Sequence, residues 1–184
     1  SDTMGHLLKA EFLAAEIEAG HVYPQPFPDW YSGVQLLRYF PPLPYFILAG
    51  LFSATGDIVF TGGLFVFLAA LFGGLSVLLY RRWLGLFPAT AGGVLFMVLP
   101  DNTRVAFAEG NMPRILATAL LPITFFVLIS TLERGPSKLR FVSLAVLTML
   151  IILSHAMMGA IFAACFMLTI TVYWVVAHGS PRAV

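Results

Sequence analysis

Residues 58–80 read IVFTGGLFVFLAALFGGLSVLLY, an apolar run that carries no charged side chain. As a helix that rises about 1.5 Å per residue, this run covers about 35 Å, which is enough to cross the roughly 30 Å hydrocarbon core of a bilayer. The whole chain has a similar character, with 59% hydrophobic and 10% charged residues and a mean hydropathy of +0.90. We therefore predict an all-α polytopic membrane protein.

Four further apolar runs predict additional membrane-spanning helices. They cover residues 84–100, 115–132, 141–154 and 157–177, and the last two meet at a break around His155. Together with 58–80 they give about five spans, in a transmembrane domain over residues 58–184. Small residues four positions apart predict close contacts between these helices, in the pairs Ala69/Gly73, Ala70/Gly74 and Ala89/Gly93.

Basic side chains predict the orientation of this bundle. They collect in the connections that the five spans place on one side, and the positive-inside rule assigns that side to the cytoplasm. These residues are Arg81, Arg82, Arg134, Lys138, Arg140 and Arg182. The loop 101–114 and the break at His155 are then expected on the extracytoplasmic side.

Residues 1–57 are expected to form an extracytoplasmic cap. An amphipathic helix over about Met4–Ala19 precedes an aromatic, proline-rich stretch and the apolar run Leu43–Thr55. Because this run covers only about 20 Å as a helix, we expect it to lie at the membrane interface or to re-enter rather than to cross. The chain opens at Ser1 without a Met, so we expect a fragment of a longer protein.

Composition and motifs argue against several classes of function. A formal net charge of +1 provides no basic field, so nucleic acid is not an expected partner. The single cysteine, Cys165, lies in an apolar run, which excludes an intrachain disulfide and a cysteine-based metal site. The sequence has no P-loop, dinucleotide fingerprint, metalloprotease motif or nucleophile elbow, so nucleotide-driven and protease chemistry have no support.

Two candidate site residues belong to the predicted cap helix. Asp2 stands where an N-cap or first-turn acid belongs, and the alternative is a carboxylate that acts as a general base or holds a metal. His6 follows one turn later on the same helix face. It is either a hydrogen-bonded surface group or a partner of Asp2 in binding a ligand.

The loop 101–114, DNTRVAFAEGNMPR, is the most polar connection between apolar runs. A turn at Glu109 exposes a carboxylate, and Asn111 suits the cap of the next helix. Arg114 then opposes the dipole of that helix, so we expect an anion beside it, and a phosphate fits both the guanidinium and the helix N-terminus. The alternative is that Arg104 and Arg114 reach lipid headgroups.

His155 has two interpretations as well. An ionisable side chain inside an apolar run is by default a candidate functional residue. Near the end of a helix, it can instead hydrogen-bond the backbone that the break leaves without partners.

Several motifs spread over the chain support a family resemblance. They are SDTMGHLLKAEFL (1–13), GHVYP (20–24), WYSG (30–33), LRYFPPLPYFILA (37–49), AEGNMPR (108–114) and LSHAMMG (153–159). With these motifs the chain resembles bacterial and archaeal membrane proteins labelled 6-pyruvoyl-tetrahydropterin synthase-related. The sequence does not resemble the soluble zinc-dependent pterin enzyme, because it lacks that enzyme's set of histidine ligands.

These membrane proteins resemble in turn the GT-C superfamily of polytopic glycosyltransferases. The resemblance implies a GT-C-like fold, a first transmembrane helix before Ser1, and residues 58–80 as the second span. Asp2 matches the acid that follows the first helix in that superfamily, and Glu109 would face it across an outer cavity. The implied location is a prokaryotic cell membrane, with the site on its extracytoplasmic face.

The function implied by this resemblance is sugar transfer from a polyprenyl-phosphate donor to an acceptor. Asp2 and Glu109 would be catalytic, and the substrate would be bound by His6, Arg104, Arg114 and His155. The sequence has no D-x-D or E-x-D pair, so no metal ligand is assigned, and a divalent metal remains open as a cofactor. The alternative is a non-catalytic subunit or scaffold that works with partner membrane subunits.

Overall fold

A computed structural model describes residues 2–21, 23–29 and 33–178, with the backbone alone for residues 177 and 178. Arg182, one of the predicted cytoplasmic basic residues, lies outside this range. The described residues are mostly helical, and their one β-type pairing is an isolated bridge between Phe27 and Val34. The all-α prediction is therefore confirmed.

From the second helix onward the helices follow one another through short connections, whereas residues 19–35 separate the first helix from the second. Their bounds are α1 Thr3–Glu18, α2 Leu36–Tyr39, α3 Pro42–Thr55, α4 Ile58–Val77, α5 Arg81–Leu84, α6 Leu86–Val98, α7 Pro100–Thr103, α8 Met112–Arg134, α9 Lys138–Ser154 and α10 Ala156–His178. A 3-10 turn, Leu78–Tyr80, joins α4 to α5, and a π-helix, Arg104–Glu109, follows α7.

Three helices of the described chain are long and apolar enough to cross a membrane, namely Ile58–Leu84, Met112–Arg134 and Ala156–Val176. They correspond to the predicted spans 58–80, 115–132 and 157–177. The predicted spans 84–100 and 141–154 correspond to shorter helices, since α6 has 13 residues and α9 has 17. These helices cover only about 20 Å and about 26 Å, so the total of five spans stays a prediction.

The bundle helices pack through small residues and through polar contacts at the end where α4 finishes. A Cβ atom on Gly93 of α6 would lie 2.6 Å from the Gly74 carbonyl oxygen of α4, so only a glycine permits this approach. The Tyr80 hydroxyl donates to the Pro122 carbonyl of α8 at 2.8 Å. At the same end, the Tyr173 hydroxyl of α10 donates to the Leu132 carbonyl at 3.1 Å. The close helix contacts predicted from small residues are confirmed for α4 and α6.

Helices α1 and α3 pack together over the other end of the bundle. One apolar cluster joins them to each other, and a second joins them to α4 and α8 through Leu7, Ala10, Leu48, Phe65 and Met112. Helix α4 then starts directly after its N-cap residue Asp57, whose carboxylate accepts from the backbone amides of Val59 and Phe60 at 2.9 Å. The predicted cap helix and the apolar helix after it are therefore present, and their position relative to a membrane stays a prediction.

Candidate functional site

Four charged side chains form a closed set of ion pairs at the capped end, between α7 and α8. Arg104 pairs with Asp101 at 2.7 Å and with Glu109. Arg114 pairs with Asp101 at 2.8 Å and with Glu109 at 3.4 Å. Each guanidinium group thus contacts both carboxylates, and we call Asp101, Arg104, Glu109 and Arg114 the ion-pair ring.

The π-helix explains how Arg104 and Glu109 meet. Residues five apart point in different directions on an ordinary α-helix, where the neighbours are three and four apart. A π-helix closes its hydrogen bonds over five residues, and the Gly110 amide bonds the Val105 carbonyl in this way at 2.9 Å. Gly110 then ends the π-helix with a φ of +71°, a conformation that glycine adopts readily. The sequence predicted a turn that exposes the Glu109 carboxylate, whereas in the structure Glu109 is the last residue of the π-helix and its carboxylate is 33% exposed and paired with both arginines.

Arg114 is placed by the start of α8. The Asn111 side chain accepts from the Arg114 backbone amide at 3.1 Å, as the sequence predicted for a helix cap. An anion was expected beside Arg114, and in the structure the carboxylates of Asp101 and Glu109 supply it. The hydrogen bond from Arg104, together with the charges of both arginines, lowers the pKa of the Asp101 carboxyl.

The start of α1 rests directly on this ring. The Asp2 backbone amide donates to the Glu109 carbonyl at 2.8 Å. Thr3 lies against Gly110 so closely that a Cβ atom on the glycine would collide with the threonine hydroxyl and backbone nitrogen. Asp2 is the N-cap residue of α1, as the sequence predicted, but its side chain makes no capping hydrogen bond and is exposed. The two predicted catalytic acids are adjacent through their backbones.

His6 is buried beneath the exposed acid. It is 8% exposed, and its Nδ1 lies 2.7 Å from the Tyr45 hydroxyl of α3. Burial lowers the pKa of His6 to about 4, the nearby charge of Lys9 adds to this effect, and the charge of Asp2 opposes it. The interpretation of His6 as a surface group is therefore wrong, and its ring is neutral at pH 7.

His155 interacts electrostatically with both Arg114 and His6. Burial lowers the pKa of His155, and the positive charge of Arg114 lowers it further, while His155 in turn acts on His6. Its Nδ1 accepts from the Met158 backbone amide at 3.2 Å and so helps to cap α10. The predicted bond to the broken backbone is confirmed, and it leaves Nε2 as the nitrogen that carries the proton of the neutral ring.

An apolar groove of about 430 Å³ runs between α4, α6, the π-helix and α8, beside the ion-pair ring. Its wall is mainly apolar, with Thr3, Asn102 and Thr103 contributing the polar groups nearest the ring. At its edge, Phe67 and Phe107 are 56% and 78% exposed. The described residues that line this groove include none of the six predicted site residues. One short segment therefore serves two environments, since Asp101 and Arg104 belong to the ring while Asn102 and Thr103 line the groove.

A model of the 6-pyruvoyl-tetrahydropterin synthase related domain, described as a membrane protein, matches residues 37–180. The chain belongs to this family. Among curated proteins and solved structures, none matches the chain. The membership confirms the first part of the family resemblance and the membrane character, and the likeness to the GT-C superfamily stays a proposal.

The match to the 6-pyruvoyl-tetrahydropterin synthase related domain includes the ring, His155 and Tyr45, while Asp2 and His6 lie before it. The structure therefore brings residues inside and outside the matched region into contact, Asp2 with Glu109 and His6 with Tyr45. Sequence reasoning did not assign Tyr45 or Asp101 to this site. The signal for Tyr45 was a hydroxyl group in the otherwise apolar run 43–52, and the signal for Asp101 was its place in the same polar loop as Arg104.

The described residues contain no group of three or more His, Cys, Asp or Glu side chains arranged to hold a metal ion. The carboxylates of the ring instead have arginine partners. We therefore assign no residue of this site to a metal.

Proposed function

We propose that this protein is a GT-C-like membrane glycosyltransferase that moves a sugar from a polyprenyl-phosphate donor to an acceptor at the extracytoplasmic face. The observation that carries the proposal is the apolar groove beside the ion-pair ring. A polyprenyl phosphate matches both parts of this arrangement, because it joins a hydrocarbon chain, which suits the apolar groove, to an anionic phosphate, which suits the arginines of the ring.

The donor would lie across the boundary between groove and ring. Its first isoprene units would pack on the apolar wall, where the exposed Phe67 and Phe107 mark the edge toward lipid. Its phosphate would bind the guanidinium groups of Arg104 and Arg114, whose forked donors suit phosphate oxygens. Positioning and neutralisation of the departing phosphate would supply much of the rate enhancement.

The transfer step needs a base for the acceptor. The acceptor hydroxyl oxygen attacks C1 of the sugar, and the bond from C1 to the phosphate oxygen breaks with its electron pair on the phosphate. The exposed carboxylate of Asp2 takes the hydroxyl proton. Glu109 and His155 orient the acceptor and the sugar, and His6 supports Asp2 from one turn below. Attack opposite the leaving phosphate inverts the configuration at C1.

The test is sugar transfer by the purified chain in lipid nanodiscs, with labelled polyprenyl-phosphate sugars and a panel of hydroxyl acceptors. Loss of a general base costs about 100-fold or more, so we expect Asp2→Asn to transfer at least that much more slowly. Glu18→Gln is the matched control, because Glu18 is an exposed acid at the far end of the same helix. Equal rates for Asp2→Asn and the wild type would remove Asp2 from the mechanism.

The alternative is a non-catalytic subunit or scaffold of a larger membrane complex. Two observations favour it, namely that the ring charges already pair with one another and that the groove is lined by none of the six predicted residues. A wild-type chain that binds the donor but transfers no sugar to any acceptor would support this alternative over catalysis.

A further inference from the structure

The ion-pair ring is electrically balanced, with two arginines and two carboxylates in mutual contact. An anionic ligand that is to bridge the two guanidinium groups must therefore displace a carboxylate from the position between them. The displaced group stays tethered beside the site and competes at a high effective concentration. The identity of that carboxylate decides which ligands the site accepts.

Asp101 is the carboxylate in the ligand position. Its Oδ1 accepts from Arg104 at 2.7 Å and its Oδ2 accepts from Arg114 at 2.8 Å, so its two oxygens bridge the two arginines. Two oxygens of a phosphate group would bridge them in the same way. Asp101 is also half exposed, at 51% of its side chain, whereas Glu109 is 33% exposed and bonds α1 through its carbonyl. Asp101 can therefore move aside more readily.

We propose that Asp101 is a specificity-determining residue, an internal competitor that occupies the phosphate position and keeps singly charged phosphodiester headgroups of bulk phospholipids out of the site. This inference rests on the proposed role of Arg104 and Arg114 in binding the donor phosphate. A singly charged headgroup that replaces Asp101 brings no more negative charge to the arginines than the carboxylate it displaces. The proposed sugar donor is also a singly charged phosphodiester, so its gain comes from the polyprenyl chain fitted to the groove, whereas a phosphate monoester such as farnesyl phosphate gains charge as well.

The experiment measures binding of farnesyl phosphate to the chain in phosphatidylcholine nanodiscs, without any sugar transfer. Removing the competitor in Asp101→Asn should tighten binding about tenfold, since one charge-assisted hydrogen bond is worth about that factor. Asp101→Ser serves as a second variant if the asparagine disturbs folding. Repeating the measurement in phosphatidylglycerol nanodiscs should cancel the gain, because that headgroup then competes for the open arginines.

Asp2→Asn is the matched control. It removes the same charge at the same end of the bundle, from a side chain that makes no ion pair with the ring in the described part of the chain. Long-range attraction alone would tighten binding equally in Asp2→Asn and Asp101→Asn, and that result would overturn the inference. Unchanged or weaker binding in both Asp101 variants would also overturn it and would make Asp101 a support for the arginines.

The outcomes separate this inference from the proposed function. If the wild type binds farnesyl phosphate and Arg114→Gln does not, the phosphate site stands, and only the Asp101 variants decide the inference. If neither the wild type nor the Asp101 variants bind the probe, the inference and the proposed donor site both fail.

Discussion

At the scale of single residues, the contact between His6 and Tyr45 links the two helices of the cap. Both side chains are buried, and their 2.7 Å hydrogen bond joins α1 to α3 across 39 positions of sequence. Removing the hydrogen-bond partner of a buried polar group destabilises the fold, because no water molecule can take the partner's place. The pair should therefore control both the stability and the pH response of the cap.

We expect Tyr45→Phe to lower the free energy of unfolding by about 1–3 kcal/mol, since the His6 nitrogen loses its partner while the aromatic ring stays. The measurement is denaturant unfolding in detergent. Tyr39→Phe is the control, because Tyr39 is 65% exposed and loses only a solvated hydroxyl. Equal stability of the two variants would show that the buried hydrogen bond contributes little.

We expect the cap to lose stability on acidification. The pKa of His6 in the folded chain is about 4, below the unfolded value of 6.5, so between these values the unfolded chain binds more protons and stability falls as the pH falls. The contribution is complete above pH 6.5, and about 3 kcal/mol is lost by pH 4. Unfolding of the wild type and His6→Gln at pH 7 and pH 4.5 checks this, because the difference between the two chains should shrink at the lower pH.

At the scale of helices, the π-helix and the start of α1 depend on each other. The π-helix brings Arg104 to Glu109, and Gly110 leaves room for Thr3 directly after it. The bounds of α1 and α8 followed largely from local signals in the sequence, such as Asn111 before α8. The π-helix itself did not, because a single extra residue per turn leaves no periodic pattern over only 6 residues.

We expect Gly110→Ala to displace α1 from the ion-pair ring, since the new Cβ would collide with Thr3. Gly56→Ala is a closely matched control, because Gly56 has a φ of +70° against +71° for Gly110 and has open space around it. Both variants carry the same backbone strain of about 1–2 kcal/mol. Hydrogen exchange of the α1 amides should accelerate in Gly110→Ala alone, and similar protection in both variants would contradict this docking.

At the scale of the whole molecule, the charges divide between the two ends of the bundle. The ion-pair ring and the cap lie at one end, while Arg82 pairs with Glu133 at 2.5 Å at the other. The positive-inside rule predicts that the second end is cytoplasmic. The cap and the proposed site would then face the outside of the cell.

This orientation predicts the labelling of single cysteines introduced into a Cys165→Ala background. Glu18→Cys should react with an impermeant maleimide in intact cells, and Lys138→Cys should react only after the membrane is opened. Glu18 and Lys138 are both exposed positions, at α1 and at the start of α9. The reverse labelling pattern would place the cap in the cytoplasm and exclude an extracytoplasmic site.

Sequence patterns alone predicted the helical class, the long apolar helices, the N-cap of α8 and the family. Hydrophobic length and helix capping depend on neighbours along the chain, so they can be read without knowing the path of the chain. Only the packed fold shows that the anions beside Arg114 are Asp101 and Glu109, that His6 is buried on Tyr45, and that an apolar groove adjoins the ring. These features depend on the packing of distant segments, and a polar residue in the sequence does not reveal whether its partner will be water, a ligand or another side chain.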